Sequence, residues 1–420
     1  MSTDMGDQEF SSNKSLSSRL MSTQLSARPV EAVKFTDEPK VNGFIAFPSS
    51  YAKERYFVDN VNGIGYDDRE GRAKMKSVAE LLERLSLYNP QESQLTPPTK
   101  LEASLLEYLV PWNNANTQSQ ASTKRERDLK NLRWKCIQGK EMLSGTNVLI
   151  PSQLVFLSPT PRNEHQLSEE VTSNGTALGE AGQDGAFTRC ILELIERDAC
   201  LHAYLSRDRV LEMTDFPATI AHDIEYFRRY RLEPHIFCVP SVFSVPVVLT
   251  VLVDRTGIGP AVTVGSSAGL RYYDAIAHSM MEALHVRNYT RLMWNAAFSH
   301  RVPRDDKVLS LEDRLCYWYP VKRLKHLDFW LKNPPTISYS EVRRKCTTIP
   351  DVVNQFRTRK FHLIRVDISL PEIRDAGLEV VKVIIPELIP FYLNERAKTL
   401  YSVNYGELPE ISVSKPHPFA

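Results

Sequence analysis

Apolar residues recur at helical spacing in four stretches of the chain, and short β-branched runs lie between them. That alternation predicts an α/β protein. The spacing predicts helices near 70–88, 183–204, 218–230 and 272–296. Strands are expected within 42–66, where Asn42-Gly-Phe-Ile-Ala-Phe47 and Gly63-Ile-Gly-Tyr66 stand, and again at 132–138, 147–158, 234–253, Ala261–Gly265, His362–Asp367 and Leu378–Ile385. Residues 1–40 are polar, poor in aromatics and without a period, which reads as a disordered or partner-binding segment ahead of one domain over 41–420. The low-complexity stretch Asn113–Asp128 reads as a surface excursion, and 300–345 is polar and less periodic.

One helix departs from the ordinary amphipathic pattern. Within Cys190–Cys200, Glu193 and Glu196 share a face, and Ile191, Leu192, Leu194 and Ile195 surround them. Carboxylates in apolar company need a partner: Arg197, another basic residue, or a metal ion carrying a nucleotide. The pattern recurs at Ser77-Val-Ala-Glu80-Leu-Leu-Glu83-Arg84 and, in degenerate form, at Ser279-Met-Met-Glu282-Ala-Leu-His285 with Arg287 beyond. A single E-x-x-E is common on solvated helices, where it pairs with Arg at i+4. Here the intervening residues are apolar and the order of acid, acid and arginine repeats. Converging helices would bring mutually repelling carboxylates together, and magnesium with substrate phosphates would relieve that repulsion. Arg84, Arg197 and Arg287 would then face phosphate oxygens. Neither G-x-x-x-x-G-K-[ST] nor G-x-G-x-x-G occurs, so the familiar nucleotide loops are excluded.

Composition narrows the setting. With 52 basic and 51 acidic residues, the net charge of +1 gives no bulk-charge case for nucleic acid or a membrane surface. The six cysteines form no C-x-x-C pair, so a reducing, cytoplasmic setting is expected and no disulfide framework or zinc site is. No apolar run has the length of a membrane span, and the N-terminus lacks a signal-peptide core.

Taken in order, these motifs resemble the YcaO family over roughly 42–420. The S-x-x-E-x-x-E-R signature stands as Ser77–Arg84. The S-N-G loop followed by E-x-x-E-R-D-A stands as Ser173-Asn174-Gly175 and Glu193–Ala199. The E-x-x-Q-x-R signature stands as Glu282–Arg287 with His285 for the usual Gln, and a G-L-x-V-V-K-V-x-x-P-x-L run spans Gly377–Leu388. The resemblance implies a YcaO-type fold, a β-sheet layered with glutamate-rich helices, and the repeated motif hints at an internal pseudo-duplication. It implies ATP and Mg2+ as cofactors, with Glu80, Glu83, Glu193 and Glu196 as metal ligands. Ser77, Arg84, Asn174, Arg197, Glu282, His285 and Arg287 would contact the nucleotide. Arg72 and Lys74 lie beside motif positions and are weaker candidates for phosphate contact. The Pro-rich end Lys415-Pro-His-Pro-Phe-Ala420 is similar to tails that enter the active site, giving catalytic roles to Pro418 and the Ala420 carboxylate. Cys190 reads as a buried packing thiol.

The activity so implied is ATP-dependent phosphorylation of a backbone amide oxygen in a ribosomal precursor peptide, followed by attack of a Cys, Ser or Thr side chain to form an azoline. Two alternatives stand beside it: thioamide formation with a TfuA-type partner, and an inactive YcaO-like peptide-binding subunit. The expected partners are an E1-like leader-binding protein, a flavin-dependent dehydrogenase for any oxidation to azole, and a second copy of the chain in a homodimer.

Overall fold

A computed structural model describes residues 17–58, 60–100, 133–157, 172–296, 301–395, 401–402, 404–407 and 415–420. Residues 17–40 of the segment expected to be disordered or partner-binding pack against the rest of the chain. Val30–Glu31 (β1) pairs antiparallel with Asn42–Ala46 (β2), Ser26 bridges Pro48, and Leu20 and Leu25 are buried. The apolar anchors of residues 17–40 follow no helical or strand period, so the sequence pattern could not show that they pack. Residues 1–16 and the polar stretch Asn113–Asp128 lie outside the described residues.

Three sheets, antiparallel but for one edge strand, carry the helices. The first orders β1, β2 and Gly63–Asp67 (β3). After β2 comes the short helix Ser50–Tyr56 (α1), capped by Ser49, and after β3 comes Glu70–Tyr88 (α2). The second sheet to begin along the chain contains Cys136–Glu141 (β4), Asn147–Pro151 (β5), Thr176–Glu180 (β6), Ile364–Asp367 (β12) and Leu378–Ile384 (β13) in the order β5-β4-β12-β13-β6. Gly185–Leu205 (α3) follows β6 directly. The remaining sheet runs β10-β9-β8-β7-β11, from Leu211–Thr214 (β7), Leu232–Cys238 (β8), Val247–Asp254 (β9), Val262–Ala268 (β10) and Thr336–Ser338 (β11), the last joined parallel to β7. Ala218–Arg229 (α4) lies on β8, and Tyr272–Ala296 (α5) follows β10.

The expected helices match those seen to within two residues at each end. The β-branched run at 234–253 is two strands, not one: β8 and β9 form a hairpin across 239–246, where Pro240 and Pro246 cannot donate to a ladder. Strand β9 is buried at every residue, so its run has no alternation to mark its ends.

Each glutamate-bearing helix lies on its own sheet and reaches the next. Helix α2 covers β2 and β3 and touches β6; α3 covers β6 and β13 and touches β10; α5 covers β9 and β10 and touches β3. The arrangement closes on itself, and its centre is where the three helices face one another. Two close crossings fix the helices to their strands. A Cβ on Gly63 would overlap the Ser77 carbonyl and the Leu81 amide, and one on Gly265 would overlap the Ser279 carbonyl and the Ala283 amide. Glycine on the strand and serine on the helix let the backbones meet in both places.

Gly265→Ala is therefore expected to destabilise the protein by about 3 kcal/mol or to break cooperative folding, since backbone atoms cannot swing aside. Gly71→Ala, in the first turn of α2 with open space around it, should stabilise by about 0.5–1 kcal/mol. Chemical denaturation of both variants checks the contrast.

Candidate active site

Helix spacing aims Glu80 and Glu83, Glu193 and Glu196, and Glu282 and His285 into the space between α2, α3 and α5. There they line a cleft of about 700 Å³. Each first acid is tied to its own sheet, through a strand amide or, for Glu193, the turn that leads into β6. Ile64 N–H donates to Glu80 Oε2 at 2.6 Å, Gly175 N–H to Glu193 Oε2 at 2.9 Å, and Ser266 N–H to Glu282 Oε2 at 2.6 Å. Each second position reaches the next sheet. Leu178 N–H donates to Glu83 Oε1 at 2.7 Å, while Glu196 accepts from Ser266 Oγ at 2.6 Å and from Ala268 N–H at 3.1 Å. His285 completes the round by resting on the Tyr66 ring of β3, centroids 4.6 Å apart.

The free oxygens differ. Glu80 Oε1 pairs with Arg84 at 2.6 Å, and Glu282 Oε1 lies 3.3 Å from Arg197 Nη2. Glu196 uses both oxygens on β10 and also faces Arg197 Nε at 3.6 Å. Glu83 Oε2 and Glu193 Oε1 have no hydrogen-bond partner among the described residues.

Burial is the largest influence on Glu80, Glu83, Glu193, Glu282, Arg197 and His285. It pushes Glu83 up to about 8, with Glu80 and Glu193 adding repulsion and the Leu178 amide opposing. Glu193 rises to about 7 and Glu282 to about 8, both against the pull of Arg197. Glu80 also rises, though Arg84 moderates it. The side chains of Glu80 and Glu282 keep 29% of their surface exposed, so the cleft is deep without being sealed. Burial disfavours the charged form of Arg197, but Glu282, Glu196 and Glu193 outweigh it and hold the guanidinium ionised. Burial lowers His285 to about 4, with Arg84 and Lys76 adding to the effect, so the imidazole is neutral.

Such a donor set fits divalent cations. The acids repel one another, several are driven toward the neutral form, and two carboxylate oxygens face the cleft unpaired. Among the described residues no three His, Cys, Asp or Glu side chains enclose an ion by themselves. A metal held here would take Glu83 and Glu193 from the chain and its other ligands from phosphate and water, which is magnesium's habit. Bound there, it would neutralise negative charge on transferring phosphoryl oxygens.

The structure does not bring every expected residue to the cleft. Arg287 is buried on the far face of α5, donating to Glu38 at 2.6 Å, Asp254 at 2.7 Å and the Pro260 carbonyl at 3.0 Å, and it does not line the cleft. The cause is register: Arg84 and Arg197 stand four residues after their first acid, whereas Arg287 stands five after Glu282, about 140° round the helix. Ser77 is buried at the β3 crossing, where its hydroxyl donates to the Lys74 carbonyl. Arg84 turns to Asn62, and Asn174 sits beside Lys382 behind Glu193; neither lines the cleft. Lys74 pairs with Glu70 and Phe44 instead. Cys190 is fully buried, its thiol donating to the Val381 carbonyl at 3.4 Å.

The tail is ordered. Arg314 and Trp318 donate to the His417 carbonyl at 2.6 and 3.3 Å, Tyr204 to the Pro416 carbonyl at 3.1 Å, and Phe419 is buried. Pro418 and Ala420 do not line the cleft. The tail reaches it indirectly, through His417 on Phe391 and Phe391 beneath the Arg197 guanidinium at 4.8 Å.

The cleft also holds basic residues that motif reading passed over. Lys76, Arg189 and His278 line it, each four residues before the first acid of its helix, beside the expected Arg72 one turn further back on α2; burial lowers His278, so its imidazole is neutral. That repeat at i−4 was a signal in the sequence.

The raised carboxyls give the empty cleft a signed pH dependence. Below the unfolded value near 4.5 Glu83 is protonated in both states, and the penalty is absent. As pH rises toward 8 the unfolded chain ionises first, so folding loses stability until both states are charged. The melting temperature without ligand should fall between about pH 5 and 8. Glu83→Gln should flatten that fall while weakening binding of a magnesium–nucleotide complex at least about tenfold; thermal melts across pH and binding calorimetry measure the two effects.

The sequence model of a family described as "YcaO cyclodehydratase, ATP- and Mg2+-binding" matches residues 62–389. A search of curated proteins finds no significant match. Among solved structures the chain is similar to YcaO from Methanopyrus kandleri bound with AMPPCP and Mg2+, at 16% identity over 96% of this chain and 93% of that one, TM-score 0.65. It is also similar to a heterocyclase in complex with substrate and cofactor, at 17% identity over 94% and 56%, TM-score 0.69. A third is the E. coli microcin synthetase McbBCD complex with pro-MccB17 bound, at 14% identity over 93% and 96%, TM-score 0.69. At these identities the likeness shows the fold.

Proposed function

The chain belongs to the YcaO family, and from that premise we propose that it is a cyclodehydratase that uses ATP to activate backbone amides of a ribosomal precursor peptide. The observation that carries the reading is the cleft: five glutamates, each held by a backbone N–H, converge beside Arg197 in a space sized for a ligand. An amide oxygen is a poor leaving group. Transfer of the γ-phosphoryl of ATP to that oxygen releases ADP and creates a good one. The side chain of a neighbouring Cys, Ser or Thr then forms its bond to the amide carbon, the carbon–oxygen bond to phosphate breaks, and the amide and nucleophile protons depart. The sum is loss of water from the peptide and of phosphate from ATP.

The chain's own groups suit these demands. Arg197, kept ionised by three glutamates, stabilises negative charge as the phosphoryl group moves. Neutral His285 offers one donor and one acceptor where the family has an amide. The site roles of Ser77, Arg84 and Asn174 become indirect, by fixing the helix crossing, Glu80 and the loop at Gly175. The heterocyclase and microcin synthetase likenesses favour peptide as substrate and a second protein that delivers it. The ordered tail, seated against Phe391 under Arg197, favours ring formation.

With Mg2+, ATP, a Cys-, Ser- or Thr-rich precursor peptide and an E1-like delivery protein, the purified chain should remove one water per ring and release ADP and phosphate, as read by mass spectrometry. Replacement of oxygen by sulfur would show thioamide synthesis in its stead. Glu196→Gln should abolish product and weaken magnesium-dependent nucleotide binding at least about tenfold, because both carboxylate oxygens hold β10 in place.

A further inference from the structure

Strand β13 is buried at all seven residues, and among Val380, Val381, Val383 and Ile384 it carries Lys382 at 4% exposure. An ammonium in such company is costly unless it is hydrogen-bonded. Its partners are two backbone carbonyls of one loop: Nζ donates to Thr172 O at 2.7 Å and to Asn174 O at 2.6 Å. Next along the strand, Val383 N–H donates to Gly175 O at 2.8 Å. Gly175 itself has φ +74, and a Cβ there would come within 2.8 Å of the Val383 carbonyl. The loop is thus gripped at the carbonyls of Thr172, Asn174 and Gly175, and Gly175 N–H is bonded to Glu193 Oε2.

We propose that Lys382 is a positioning residue for the magnesium–nucleotide site: by holding the Thr172 and Asn174 carbonyls it sets the turn that presents Gly175 N–H to Glu193, and so fixes which carboxylate oxygen faces the ligand. The inference rests on the reading of the cleft as that site. The chemistry favours lysine over other residues, since a flexible stem with a compact head reaches two divergent carbonyls from a strand interior, whereas Arg would need more room. Its charge also lies near Glu193, opposing the burial that drives that acid toward neutrality.

The test measures binding of Mg2+ with a non-hydrolysable ATP analogue by calorimetry, and steady-state kinetics. Lys382→Met keeps the stem and removes the donors. It should fold, bind the complex 10- to 100-fold more weakly and raise the KM for ATP more than it lowers kcat. Gly175→Ala should weaken binding similarly, and the double variant should bind no worse than the weaker single, because both changes break one linkage. Binding by Lys382→Met equal to wild type, or losses that multiply in the double variant, would overturn the proposal. If Lys382→Met does not fold, Lys382→Gln, one bond shorter and uncharged, should exchange the amides of 172–176 at least tenfold faster than wild type; unchanged exchange there overturns it. Wild-type protein that binds no magnesium–nucleotide complex would instead refute the reading of the cleft, and the exchange measurement would still decide the role of Lys382.

Discussion

The structure depends on backbone amides, four in strands and one in the turn before β6, donating to glutamate carboxylates of helices. Ile64, Gly175, Leu178, Ser266 and Ala268 each give an N–H to one acid. These bonds satisfy backbone donors that would otherwise point into the cleft, and they fix the rotamer of every acid before a ligand arrives. They alternate between a helix's own sheet and the next, so the same contacts that orient the site also join the three sheets. Charge complementarity is secondary: Arg84 and Arg197 neutralise two acids, while Glu83 and Glu193 remain available.

Rigidity of this kind has a cost that substrate can relieve. Burial raises Glu83, Glu193 and Glu282 toward the neutral form, and a cation restores their charge. The raised carboxyls and the fit of the cleft to a cation are one property. The N-terminal segment contributes from outside: Glu38 holds Arg287 and Arg291 together on α5, and Leu20 reaches the cleft wall.

Much of this was legible in the sequence because helices announce themselves by period. The three glutamate helices, their acids and the α/β class follow from spacing and apolar company. What stayed hidden was of three kinds. Strand amides carry no side-chain signature, so Ser266 and Leu178 were invisible as partners. A one-residue shift of register placed Arg287 opposite the cleft although the motif aligned it with Arg84 and Arg197. Residues 17–40 anchor by Leu20, Leu25 and Glu38 at irregular intervals, which no periodicity test detects. The basic residue at i−4, by contrast, was present in the pattern and passed over.

The closed relay between sheets also has a meaning for how the molecule forms. Leu178 and Glu83 are 95 residues apart in sequence, Ser266 and Glu196 are 70 apart, and Arg197 and Glu282 are 85 apart. Strand β13 meets β6 across nearly two hundred residues, Leu378 beside Glu180. Contacts of such separation must overcome chain entropy before they contribute, so the fold has high contact order and assembles slowly. No single sheet with its helix contains a working cleft. Nucleotide binding therefore reports completed assembly, appearing only when the last of the three sheets has docked.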